Sequence, residues 1–172
     1  MFLNFAVVAI GILVSFFLKG INFLSLDLES VGGGILYPDF LLILVIFFAL
    51  RRGDFSALWV GFFSGLLEDS GLLSFADKTG EFVPIIGTHA LVYCLIGFIL
   101  GKVHKLMDKD RVPTIILIVF VTSVVERIIV WLLVGVLEDF NKSFSVLGPS
   151  VYTALFAPIW IAGLSWVYKM QE

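Results

Sequence analysis

Apolar residues run in long unbroken stretches along this chain, and polar residues gather in short clusters between them. The stretches fall at about 3–18, 36–50, 55–67, 85–101, 113–137 and 150–168. Breakers separate them: Lys19 to Tyr37 with Gly32-Gly33-Gly34, Arg51-Arg52-Gly53-Asp54, Glu68 to Glu81, Lys102 to Arg111, and Glu138 to Gly148. The pattern predicts six helices. A re-entrant pair made from the short second and third runs would reduce the number of spans to five. No tandem repeat, soluble linker or low-complexity segment interrupts the series.

Composition says what surrounds these helices. Of 172 residues, 60% are hydrophobic and 15% charged, and mean hydropathy is +1.09. An average globular domain is about half apolar and about a quarter charged. A chain this apolar cannot cover a core with polar surface, so lipid is its solvent. The length suits a single membrane domain of about six spans at ~20 residues each, with no separate soluble domain. A net charge of −3 is too small to imply a nucleic-acid or anionic-lipid partner. Cys94 is the only cysteine, which rules out an internal disulfide, and its apolar surroundings suggest a buried, inert thiol. Met1 to Gly11 carries no Lys or Arg, and no small-x-small cleavage site follows, so the first run reads as a retained span.

Orientation follows from the basic residues beside the spans. Arg51, Arg52, Lys102, Lys105, Lys109, Arg111 and Lys169 fall on one side. Lys19, Lys78 and Lys142 fall on the other, among Asp27, Glu29, Glu68, Asp69, Asp77, Glu81, Glu138 and Asp139. Both termini are therefore expected in the cytoplasm. On the outer side, the alternation in Leu24 to Glu29 suits an interfacial segment, and Gly71 to Phe75 is apolar enough to dip back toward the bilayer. Trp59, Trp131, Trp160 and Trp166 are candidate interface anchors or contact surfaces.

Several ionisable residues fall at one depth. The second and third runs cover only ~15–20 Å, against ~30 Å of hydrocarbon. If these helices continue outward, Asp39, Glu68, Asp69 and His89 lie ~17–21 Å from the cytoplasmic helix ends, and Glu126 and Arg127 match them at ~20 Å in the fifth run. An acid at a helix end among head groups would explain Asp39 or Glu68. It does not explain Arg127, flanked by Pro113 to Val125 and Ile128 to Leu137. A lone arginine at mid-membrane costs about 2.5–3.5 kcal/mol. The expectation is an interhelical charge network in which Arg127 meets Asp69, Asp39 or Glu68, helped by Thr122 and Ser123. Such a layer has three uses: fixing which helices are neighbours and positioning a partner, holding a small polar molecule, or relaying protons through His89 and Asp69. The first is favoured.

Ala57, Gly61, Gly65 and Asp69 recur every four residues, as do His89, Tyr93, Gly97 and Gly101. Small residues on one ridge let another backbone approach, and the polar residue ending each ridge then faces protein. HExxH, GxGD, P-loop and GxSxG patterns are absent, and His89 with Ser64 or Ser123 makes a poor hydrolytic set. No catalytic residue, cofactor site or metal site is expected.

Pro38-Asp39 opening a helix that ends in Arg51-Arg52-Gly53 resembles the rod shape-determining MreD family. So do Gly61-x-x-x-Gly65-Leu66-x-x-Asp69 and Gly87-x-His89-Ala90-Leu91, with Gly97 and Gly101 following, over about residues 36–104. The resemblance implies a non-enzymatic inner-membrane component of the bacterial lateral cell-wall elongation complex. Its implied partners are MreC, RodA, a class B penicillin-binding transpeptidase and the MreB filament, with a homodimer also allowed. It further implies an all-α bundle of six transmembrane helices similar to the substrate-binding subunits of energy-coupling-factor transporters. By that analogy a vitamin-type binding subunit is the alternative function. The docking pattern Ala-x-x-x-Ala is missing from the first helix, where Ala6 and Ala9 stand three apart.

Overall fold

In the computed structural model of the chain, the described residues are 2–19, 21, 24–27, 35–72, 74–76, 82–84, 87–106, 111–137 and 146–169. They form six α-helices: α1 (Phe2–Lys19), α2 (Phe40–Arg52), α3 (Asp54–Leu72), α4 (Thr88–Val103), α5 (Val112–Leu137) and α6 (Leu147–Lys169). Two small antiparallel ladders lie in the connections. Here β1 (Leu26–Asp27) pairs with β2 (Ile35–Leu36), and β3 (Ser74–Ala76) pairs with β4 (Phe82–Pro84). The alternation at Leu24 to Glu29 thus marks in part a strand. Within the segment from Gly71 to Phe75, Gly71 and Leu72 end α3 and Ser74 and Phe75 belong to β3, while Leu73 lies outside the described residues. Glu29, Asp77, Lys78, Glu81, Lys109, Glu138, Asp139 and Lys142 lie outside the described residues.

The two short runs differ in how they end. α2 does not begin at residue 36. Leu36 belongs to β2, and Asp39 is the N-cap, its Oδ1 accepting from Leu42 N at 2.8 Å. A carboxylate there meets a free amide of the first turn and the positive helix end together. With 13 residues, α2 rises only ~20 Å. α3, in contrast, continues through Glu68 and Asp69 to Leu72. α4 starts at Thr88 and not at 85, because Gly87 takes φ 108°, a left-handed conformation in which a right-handed helix cannot continue. Gly53, at φ 85°, alone links α2 to α3.

α2 is the centre. Every residue from Phe40 to Leu50 is buried, as an all-apolar helix requires. α1, α3, α4 and α6 pack around it, and Phe40 meets the rings of Phe156 and Trp160 edge-on at 6.2 and 5.2 Å. The outward faces are apolar too: Ile159 is 73% exposed, Phe17 70% and Leu117 61%. Meanwhile Asp39, Glu68, Asp69, His89 and Glu126 are buried. A water-soluble fold shows the reverse distribution.

Candidate functional site

The polar layer is assembled where α3 ends and α4 begins. Gly87 has no side chain with which to cap α4, so its own amide and two amides of the first turn are directed at Asp69. Asp69 Oδ2 accepts from Gly87 N at 2.8 Å and Ala90 N at 3.3 Å, and Oδ1 accepts from His89 N at 3.0 Å. The carboxylate of one helix thereby caps its neighbour and sits at that neighbour's positive end. The same Oδ1 lies 2.9 Å from His89 Nδ1. Since a carboxylate only accepts, Nδ1 is the donor of this contact. On the other side of the ring, His89 Nε2 lies 3.5 Å from Glu126 Oε1 of α5. His89 therefore stands between two carboxylates from two different helices.

One turn further along α4, Tyr93 is fully buried, with its ring 5.9 Å from that of His89. Its hydroxyl donates to Asp39 Oδ2 at 2.6 Å. The backbone N–H of Asp39 donates in turn to Thr153 Oγ1 of α6 at 3.1 Å, and Thr153 donates to the Pro149 carbonyl at 2.8 Å. Ser123 Oγ of α5 donates to Ser150 Oγ of α6 at 3.2 Å. Asp39, Asp69, His89, Tyr93, Glu126 and Thr153 thus join α2 to α6 in one layer. By helical rise, Asp39 and Glu126 lie ~20 Å from the ends of α2 and α5 that carry Arg52 and Val112.

Arg127 does not take the place expected of it. Its Nε is buried and has no hydrogen-bond partner among the described residues, while Asp69 and Asp39 are engaged by His89 and Tyr93. The reason is angular. Consecutive residues on a helix point about 100° apart, so with Glu126 turned inward its neighbour is turned aside. Glu68 is buried on α3 beside Asp69. Neither ring nitrogen of His89 meets a serine: Ser123 is engaged by Ser150, and Ser64 Oγ is buried with no partner among the described residues. Cys94 is half-buried, its thiol directed at the Leu58 carbonyl at 3.5 Å. Sequence reasoning missed Thr153 and Ser150. Their signal was faint, two hydroxyls three residues apart in an apolar run.

Residues 2–170 match the model of a known family, the rod shape-determining protein MreD. The chain belongs to the MreD family. No curated protein and no solved structure matches it. Membership carries a role in determining rod shape. Among the described residues, Val112–Leu133 and Leu147–Val167 are long and apolar enough to cross a membrane. With the outward apolar faces, they mark a membrane protein.

In this MreD-family chain, the two ridges of small residues lie directly against each other. A Cβ on Gly61 would stand 2.5 Å from the Tyr93 carbonyl oxygen, and one on Gly97 would stand 2.6 Å from that of Ala57. A Cβ on Gly65 would strike the backbone of Ala90, and one on Gly101 that of Asp54. The pairs run in opposite directions along α3 and α4 and close at Asp69 and His89. Close backbone approach is thus what lets Asp69 reach the α4 amides.

Proposed function

We propose that this chain is a non-enzymatic, six-pass protein of the bacterial inner membrane, with both termini in the cytoplasm. It maintains rod shape by binding MreC and helping to position or regulate the peptidoglycan synthase, RodA with its class B transpeptidase, alongside the MreB filament. One observation carries this reading beyond family membership. The side chains of Asp39, Asp69, His89, Tyr93, Ser123 and Thr153 meet polar partners within the layer across α2, α3, α4, α5 and α6, while Arg127 Nε and Ser64 Oγ stand outside these contacts among the described residues. A layer whose donors and acceptors meet each other specifies an arrangement of helices. A ligand site instead keeps convergent polar groups available to a solute. Following the family resemblance, this reading gives the bundle the architecture of energy-coupling-factor substrate subunits, used here as a rigid platform.

The test is co-purification. The chain and MreC are expressed together, extracted in mild detergent and isolated through a tag on either one. Retention of MreC through size exclusion is expected, and so is the loss of rod shape in cells carrying Asp69→Asn at unchanged membrane abundance. A chain that is well inserted yet never retains MreC would overturn the reading.

A further inference from the structure

Between α1, α2 and α6 the bundle leaves a groove of about 360 Å³. Its walls include Gly11 of α1, Leu44, Phe47 and Phe48 of α2, and Gly163 and Val167 of α6. The α6 wall is open at its glycine, where a Cβ would meet nothing within 4 Å. Apart from the indoles of Trp160 and Trp166 these walls are hydrocarbon, and they suit an acyl chain better than water. The groove also has a direction. One helical turn beyond Phe47 and Phe48, on the same face of α2, come Arg51 and Arg52. Arg51 is exposed. In the last turns of α6, Trp166 lines the same groove and is 67% exposed, as an indole at head-group depth is. An apolar slot therefore opens onto a cation at the level where lipid phosphates lie.

We propose that this groove binds one anionic phospholipid, its acyl chain between α1 and α6 and its phosphate on Arg51. The chemistry of the two ends selects the occupant. An acyl chain matches the walls, and guanidinium matches a phosphate oxyanion. A head group with net negative charge gains more from Arg51 than a zwitterionic one, whose own ammonium offsets the attraction. The net charge of the chain gives no hint of such a ligand, because the signal is the local sequence Phe47-Phe48-Ala49-Leu50-Arg51-Arg52 on a helix. The inference does not rest on the MreC reading and would stand if that reading failed.

The full-length chain is reconstituted in vesicles of equal phosphatidylglycerol and phosphatidylethanolamine, each doped in turn with a photoreactive acyl chain. After irradiation, adducts are mapped by peptide mass spectrometry. Adducts are expected on the peptides holding Phe47-Phe48 and Gly163 to Val167, and phosphatidylglycerol should exceed phosphatidylethanolamine there. Arg51→Gln, at an exposed position, should cut that preference about fivefold. Gly163→Leu should reduce labelling by both lipids. If Gly163→Leu fails to fold, the unaltered chain and Arg51→Gln still decide. Equal labelling by the two lipids, labelling spread evenly over the outer faces of α4 and α5, or crosslinks to a second protein chain in place of lipid would each overturn the proposal.

Discussion

The carboxylate of Asp69 holds His89 twice, through the backbone N–H at 3.0 Å and through Nδ1 at 2.9 Å. One side chain therefore fixes both where α4 begins and how the His89 ring is turned. Asp69→Asn keeps the size but replaces an acceptor oxygen with a donor that faces amides. The expected cost is about 2–4 kcal/mol in unfolding titrations in mixed micelles, since a buried charged partner is lost. His89→Ala removes only the ring contact and should cost less. Because the two residues touch, the double variant should fall short of the sum by ~1 kcal/mol or more. Additive losses would show that the ring contact contributes nothing.

Tyr93→Phe isolates the second half of the layer. It removes the 2.6 Å hydroxyl contact from Asp39 Oδ2 while leaving the ring in place beside His89. A buried carboxylate that loses a donor should cost about 1–3 kcal/mol. Asp39 also caps α2 through Leu42 N, so Asp39→Ala should be the worse of the two, losing a cap and a buried acceptor together. Thermal unfolding followed by circular dichroism checks the order. Equal effects would mean that the Tyr93 bond accounts for all that Asp39 does.

The helices were legible in the sequence because outward-facing and core positions are both apolar, so each helix falls in an apolar run. Their ends were less so. Asp39 fell inside the second apolar run and is a cap, an ending the sequence allowed without choosing it, since apolar periodicity does not separate the first turn of a helix from the strand before it. The ridges ending at Asp69 and His89 were legible because glycine every four residues constrains packing directly. The partner of the charge was not. Arg127 was the permanent cation and so drew attention, yet the layer is centred on His89. Which of two adjacent residues on α5 turns inward depends on the rotation of that helix, and a helix apolar on every side does not encode its own rotation. The β1–β2 and β3–β4 ladders escaped notice because two- and three-residue strands leave almost no alternation to read.

Cys94 makes the proposed orientation open to a direct test. It is the only cysteine, so Cys94→Ser gives a blank background at the modest cost of a weak thiol contact to Leu58. Into this background a single cysteine is placed at exposed Leu26, in β1, or at exposed Lys105, after α4. In intact spheroplasts a membrane-impermeant maleimide should label Leu26→Cys, and Lys105→Cys only after lysis. The basic residues beside Arg51, Lys102 and Arg111 require this result if they face the cytoplasm. The reverse pattern would invert the bundle, and would move the polar layer from the outer to the inner half of the bilayer.

Glycines on this bundle should divide sharply by what their missing side chains would meet. Gly65 lies against the backbone of Ala90, and Gly61 lies where a Cβ would stand 2.5 Å from a carbonyl oxygen. Backbone cannot step aside as a side-chain tip can, so even Gly65→Ala must push α3 and α4 apart. Separation lengthens the contacts from Asp69 to the α4 amides, so the damage should spread to the polar layer and exceed the ~1–3 kcal/mol of ordinary overpacking. Gly163→Ala, with open space around it, should be harmless or stabilising by up to ~1 kcal/mol through helix propensity. The check is the yield of monodisperse protein in detergent together with its apparent Tm. If Gly65→Ala and Gly163→Ala behave alike, close packing of α3 on α4 is not what sets the geometry of Asp69 and His89.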